Sequence, residues 1–144
     1  EADMVVLGPG SLYTSVIPNL LIEGVPDALR QSKALKVYVA NIWATEGETR
    51  GYSLRDHIDA IRRHVGDGLF DAVLVNNGTI PRNQRAALEE HGASLVTYRR
   101  EDFPQKPPFL VIAKDVVDRA FPLKHSPEKL ARELAEIMRE FRPW

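Results

Sequence analysis

Residues 3–19 read DMVVLGPGSLYTSVIPN, and how this stretch is read decides the fold. The apolar run from Met4 to Leu7 is a strand candidate of the continuous kind that parallel sheets bury on both faces. It breaks at Gly8-Pro9-Gly10-Ser11, and a helix candidate follows. Strand, glycine turn and helix start together are how α/β proteins build an anion site. Glycine lets the backbone approach a ligand, and the free amides of a first helical turn point at a phosphate. Pro9 has no N–H, so a cradle here draws on Gly10, Ser11 and Leu12. The same residues also fit a tight turn with Ser11 as helix N-cap. The pattern is neither GxGxxG nor a Walker loop.

Outward from this turn, further strand candidates lie at 36–42, 71–76, 94–99 and 109–114, with helical segments between them. Residues 11–32 read as two helical pieces interrupted near Gly24 and Pro26. Ser53 and Asp56 form a capping-box pattern that opens a helix from about Leu54 to Val65. Within it Leu54, Ile58, Ile61 and Val65 share one face. Pro81 suits a first helical turn and Gly92 a stop. Ser126-Pro127-Glu128 combines a cap, a first-turn proline and an acid at the positive end of the helix dipole. The terminal helix then runs to about Phe141, with Leu130, Leu134, Ile137 and Phe141 as its apolar stripe. Residues 100–108, REDFPQKPP, read as a crossover connection or a loop near a ligand. Strands alternating with helices specify an α/β fold: a Rossmann-like, mostly parallel sheet with flanking helices.

In open α/β sheets ligands sit at the carboxyl ends of the strands. Three such ends carry polar clusters: Gly8, Gly10, Ser11 and Tyr13; Asn41 followed by Ala44, Thr45, Glu46, Gly47, Glu48 and Thr49; and Asn76, Asn77, Gly78 and Thr79. All three are expected to converge on one edge. Asn41 and Asn76 can donate and accept toward a ribose or a base edge, or organise their own loops as Asx turns. Glu48 can hold a sugar hydroxyl or cap a turn. Tyr13 can pack on a base, reach a phosphate, or serve as a half-buried anchor. Lys124 can meet a diphosphate or stand as a solvated helix-start lysine. Asp56 and His57 are adjacent on a helix and do not face one another. His64, His91 and His125 lack the spacing of a zinc set, so no protein-built metal site is expected. No nucleophile triad is defined, and no catalytic residue is assigned.

Six segments together resemble one known family: GPGSLYTSVIPNLL at 8–21, KVYVANI at 36–42, GETRGY at 47–52, RDHIDAI at 55–61, VNN at 75–77 and LKHSPEKLAREL at 123–134. In this order they resemble the YvcK/CofD superfamily, which joins YvcK-type gluconeogenesis factors to the 2-phospho-L-lactate transferase CofD. The GPGSLYT form favours the YvcK branch. The chain departs from the family's usual pattern at Trp43, Ala44, Thr45, Glu46 and Arg50, and Lys124-His125 stands where Arg-His is common. YvcK-like proteins are longer and carry a GGGTG-like turn near their N-terminus. No such turn occurs here, so residues 1–144 are expected to be the C-terminal portion of one YvcK/CofD-like α/β domain. Apolar helix faces that met an absent half would then favour a homo-oligomer.

The resemblance implies a regulator that binds a nucleotide sugar such as UDP-N-acetylglucosamine. Such a regulator links central carbon metabolism to cell-wall precursor supply and cell shape, with an enzyme of that supply as an expected partner. Its ligand-binding residues would be Gly8, Gly10, Ser11, Leu12, Tyr13, Asn41, Glu48, Thr49, Asn76, Asn77 and Lys124. The alternatives are a CofD-like phospholactyl transferase using Mg²⁺ held through the ligand's phosphates, and an NAD-type dinucleotide module. The bulk numbers agree with a compact cytoplasmic domain. The 144 residues carry a net charge of −1, which points to no general nucleic-acid surface. There is no cysteine and no apolar run long enough to span a membrane.

Overall fold

A computed structural model describes residues 2–141. Four strands, β1 (Met4–Leu7), β2 (Leu35–Val39), β4 (Ala72–Asn76) and β6 (Leu110–Lys114), form one parallel sheet in the order β1-β2-β4-β6. The register pairs Leu7 with Tyr38, Val39 with Leu74, and Asn76 with Lys114. All four carboxyl ends therefore lie along one edge, as the sequence reading requires.

The period of two along the strands sorts the core into layers. On one face Tyr38, Ala40, Val73 and Val75 pack with Leu12, Val16, Ile17, Leu20, Leu54, Ile58 and Ile61. The helices there are α1 (Ile17–Leu20) and α3 (Leu54–Val65), with α2 (Val25–Gln31) lying against α1. On the other face Leu35, Val37, Val39, Ala72 and Leu74 meet Ile137, Leu130 and Leu134 of α5 (Pro127–Phe141). Phe141, expected in the same stripe, is exposed instead. Helix α3 carries the capping box: the Ser53 hydroxyl accepts from the Asp56 amide, and the Asp56 carboxylate accepts from the Ser53 amide at 2.8 Å. Its C-cap is Gly66, with φ 78°.

Three further expectations change. The segment 94–99 does not join the parallel sheet. Only Ser94–Leu95 (β5) is a strand, paired antiparallel with Trp43–Ala44 (β3). The reason is competition for backbone groups. The Val96 amide donates to Ile42 O at 2.9 Å, and Thr97 O accepts the Leu54 amide at 2.9 Å, so this backbone is committed to the residue before Trp43 and to the start of α3. The second change is at 11–16. Leu12–Val16 is a π-helical turn that runs into α1, with Ser15 and Val16 both donating to Ser11 O. Pro81 is the N-cap of α4 (Arg82–Glu90) rather than a first-turn residue.

Candidate ligand-binding site

The turn after β1 needs glycine at its first position for two reasons. Gly8 has φ +77°, and a Cβ there would lie 3.0 Å from Val39 O. A Cβ on Gly10 would lie 3.0 Å from the Ser15 Cβ. The two glycines let the turn press against β2 and the helical turn behind it.

A cavity of about 550 Å³ opens beside this turn, at the carboxyl ends of β1 and β2. Gly10, Ser11, Asn41, Glu48, Thr49 and Lys124 of the predicted set line it. Two of the turn's amides are already engaged. The Gly10 amide donates to Asn41 Oδ1 at 3.2 Å. The Tyr13 amide donates to Glu48 Oε1 at 3.2 Å, and the Ser11 hydroxyl lies 2.6 Å from Glu48 Oε2. Thr14 Oγ1 donates to the Ser11 hydroxyl at 2.7 Å. A carboxylate from the neighbouring loop thus sits where the helical turn would attract an anion, the arrangement a helix dipole favours. Ser11 holds the N-cap position, but its hydroxyl makes no cap bond to the helix. Among the described residues the amides of Ser11 and Leu12 have no hydrogen-bond partner.

The other predicted residues go elsewhere. Leu12 is fully buried in the core. Gly8 shapes the turn without lining the cavity. Tyr13 packs edge-on to Tyr52 and His64, and its hydroxyl meets that of Tyr52 at 3.1 Å. Asn76 and Asn77, with Gly78, line a separate cavity of about 260 Å³ at the ends of β4 and β6; Ile42 lines both cavities. Asn76 Oδ1 accepts from the Gly78 and Val116 amides, each at 3.1 Å, and so organises its own loop. Asn77 Nδ2 donates to Ala113 O at 3.2 Å.

The opposite wall comes from the segment between β6 and α5. Lys124 makes no ion pair or hydrogen bond through its ammonium among the described residues, and it is the cavity's cationic side chain. The His125 ring meets Ala40 O at 3.2 Å, and burial holds its pKa below the ordinary 6.5. A neutral imidazole donating from Nε2 fits that contact. Trp43, Thr45, His125 and Pro127 also line the cavity. Thr45 belongs to the expected strand-end cluster, the sequence singles out Trp43 only as a departure from a pattern, and the spacing of His125 points to no ligand.

His57 is fully buried, its Nδ1 is 2.9 Å from Ser53 O, and burial lowers its pKa below 6.5. It does not line the cavity. The Ser11–Glu48 pair has no histidine beside it in any hydrogen bond, and a carboxylate alone is a poor base for a serine hydroxyl. Glu48 is the cavity's carboxylate, and no group of three metal-ligating side chains occurs among the described residues. Such a donor set fits Mg²⁺ only as an ion carried mainly by a ligand's own phosphates. No helix among the described residues is long and apolar enough to cross a membrane.

Comparisons with known proteins agree with this architecture. The family described as 2-phospho-L-lactate transferase CofD matches residues 1–117. The chain is 33% identical over 140 residues to the gluconeogenesis factor of Bacillus subtilis, covering 97% of this chain and 44% of that protein. It is 46% identical over 96 residues to the gluconeogenesis factor of Halalkalibacterium halodurans, covering 67% of this chain and 30% of the relative. A crystal structure of a UPF0052-family protein from Bacillus halodurans superposes with a TM-score of 0.86 at 36% identity, over 93% of this chain and 43% of that one. The chain thus spans less than half the length of these relatives. With its glycine turn, parallel sheet and strand-end cavity in place, the chain belongs to the YvcK/CofD family, alongside the gluconeogenesis factors.

Proposed function

We propose that this chain forms one wall of a nucleotide-sugar site, of the UDP-N-acetylglucosamine class, in a regulator that links carbon metabolism to cell-wall precursor supply and cell shape. One observation carries the reading: a cavity of about 550 Å³ at the ends of two parallel strands, with Lys124 on one wall and Ser11, Asn41, Thr45 and Thr49 on the other. Amides and hydroxyls suit sugar and ribose hydroxyls, and a lysine suits a diphosphate as a point charge. Glu48 occupies the helical turn, so the diphosphate belongs beside Lys124 rather than against residues 8–13. The residues hold and orient the ligand.

Calorimetry of the complete protein with UDP-N-acetylglucosamine tests this. Stoichiometric binding with the sugar recovered intact, weakened about tenfold in Lys124→Ala, is the expected result. Absence of binding would refute it. The family also contains phospholactyl transferases, which is what favours a second reading. Multiple-turnover transfer from a nucleotide-activated phospholactyl donor to a deazaflavin acceptor would replace the regulator with that enzyme.

A further inference from the structure

The loop 118–124 supplies Lys124, yet little burial holds it. Phe121 and Leu123 flank Pro122 and are 66% and 54% exposed. Apolar side chains that remain in water do little to fix a loop. The loop is closed upon itself. Val117 bridges to His125, the Asp118 amide donates to Lys124 O at 2.9 Å, and the Asp118 carboxylate accepts the Ala120 and Phe121 amides. These bonds give the loop its shape but leave its position over the sheet edge undetermined.

Besides the Arg119–Asp115 ion pair at 3.3 Å and the Lys129 ammonium on Val117 O at 3.0 Å, both at the loop's start, two contacts set that position. The His125 ring meets Ala40 O at the loop's base, at 3.2 Å. The Trp43 indole N–H donates to Pro122 O at 2.7 Å and so grips the middle of the loop, 79 residues away in sequence. Trp43 is itself immobilised. It is 5% exposed, pairs with Leu95 in the β3–β5 ribbon, and clusters with Ile42 and Val117 against Ile80, Leu88 and Ala93. A buried indole N–H is a donor with no alternative role and needs an acceptor, here the Pro122 carbonyl.

We propose that Trp43 is a positioning residue for the ligand cavity: by clamping Pro122 it fixes where Lys124 stands opposite Ser11 and Asn41. Only the choice of ligand in the test rests on the nucleotide-sugar reading. The clamp is a property of the fold.

Hydrogen exchange of the complete protein, native against W43F, measures the clamp directly. Phenylalanine keeps most of the bulk and removes the donor. Loss of one such bond predicts exchange about five-fold faster at Ala120, Phe121 and Lys124, with α3 and the parallel sheet unchanged. Should W43F loosen the whole sheet, β-(3-benzothienyl)alanine at position 43, which keeps the shape of the indole and lacks its N–H, carries the same comparison. The second readout is a double-mutant cycle on UDP-N-acetylglucosamine affinity. W43F weakens binding several-fold in the native background and adds nothing in K124A, because Trp43 acts through Lys124. Unchanged loop exchange, or additive losses in the cycle, overturns the proposal. If the native protein binds no UDP-sugar, the nucleotide-sugar reading fails while the exchange comparison still decides the clamp.

Discussion

Replacing Glu48 tests whether the 45–50 loop and the turn after β1 are welded by a single carboxylate. Glu48 accepts the Ser11 hydroxyl at 2.6 Å and the Tyr13 amide at 3.2 Å, across 37 and 35 residues of sequence. Hydrogen bonds to a charged group contribute about 1.5–3 kcal/mol each. Both partners here are only part-buried, and water can replace the carboxylate. Halving each contribution gives about 2 kcal/mol for Glu48→Ala, including a small term for the charge at the helical turn. Glu48→Gln keeps a carbonyl oxygen for the Tyr13 amide and loses the charge, so about 1 kcal/mol is expected. Urea unfolding of the complete protein measures both, as a lower midpoint with an unchanged slope. Stability of Glu48→Ala within about 0.5 kcal/mol of the native protein would refute the reasoning, since that is the range of surface changes without structural consequence.

Three further outcomes are expected. Gly8→Ala, at φ +77° and with its Cβ 3.0 Å from Val39 O, should lower stability by about 2 kcal/mol, read by the same unfolding assay. Gly10→Val pushes against the Ser15 Cβ and shifts the Gly10 amide from Asn41; nucleotide-sugar affinity should be lost with far-UV circular dichroism retained, and unchanged affinity counts against the placement of the site. Burial holds His57 and His125 below their ordinary pKa of 6.5, so the unfolded chain takes up protons first as pH falls. Their contribution is complete above 6.5 and declines as pH drops toward the folded values; unfolding midpoints should fall between pH 7.5 and 5.5, and a flat profile would contradict this.

Much of the fold was legible because its signals are local. The continuous apolar runs at Met4–Leu7 and Ala72–Val75, the Ser53–Asp56 capping box and the Ser126-Pro127 helix start each act within a few residues. Alternation of such segments is enough to specify a parallel sheet with flanking helices and to place Gly10, Ser11 and Asn41 at its carboxyl edge. Where the local signal competes with distant partners it fails. The run at 94–99 has strand composition, but its backbone groups are taken by Ile42 and Leu54, so only Ser94–Leu95 pairs as a strand.

The site divides along the same line. Sequence by itself determined that a glycine turn follows the first strand, because the apolar run 4–7 breaks at Gly8-Pro9-Gly10, and Gly8 there takes a φ of +77° that side chains rarely adopt. Only the tertiary structure decided what faces that turn. It put the Glu48 carboxylate on the helical turn, sent Asn76 and Asn77 to a neighbouring cavity, and brought Lys124 opposite Asn41 under the clamp of Trp43. The Glu48 and Trp43 contacts join residues 35 and 79 positions apart. Their partners are chosen by which strands lie side by side and which loops share an edge, and no local pattern encodes that choice.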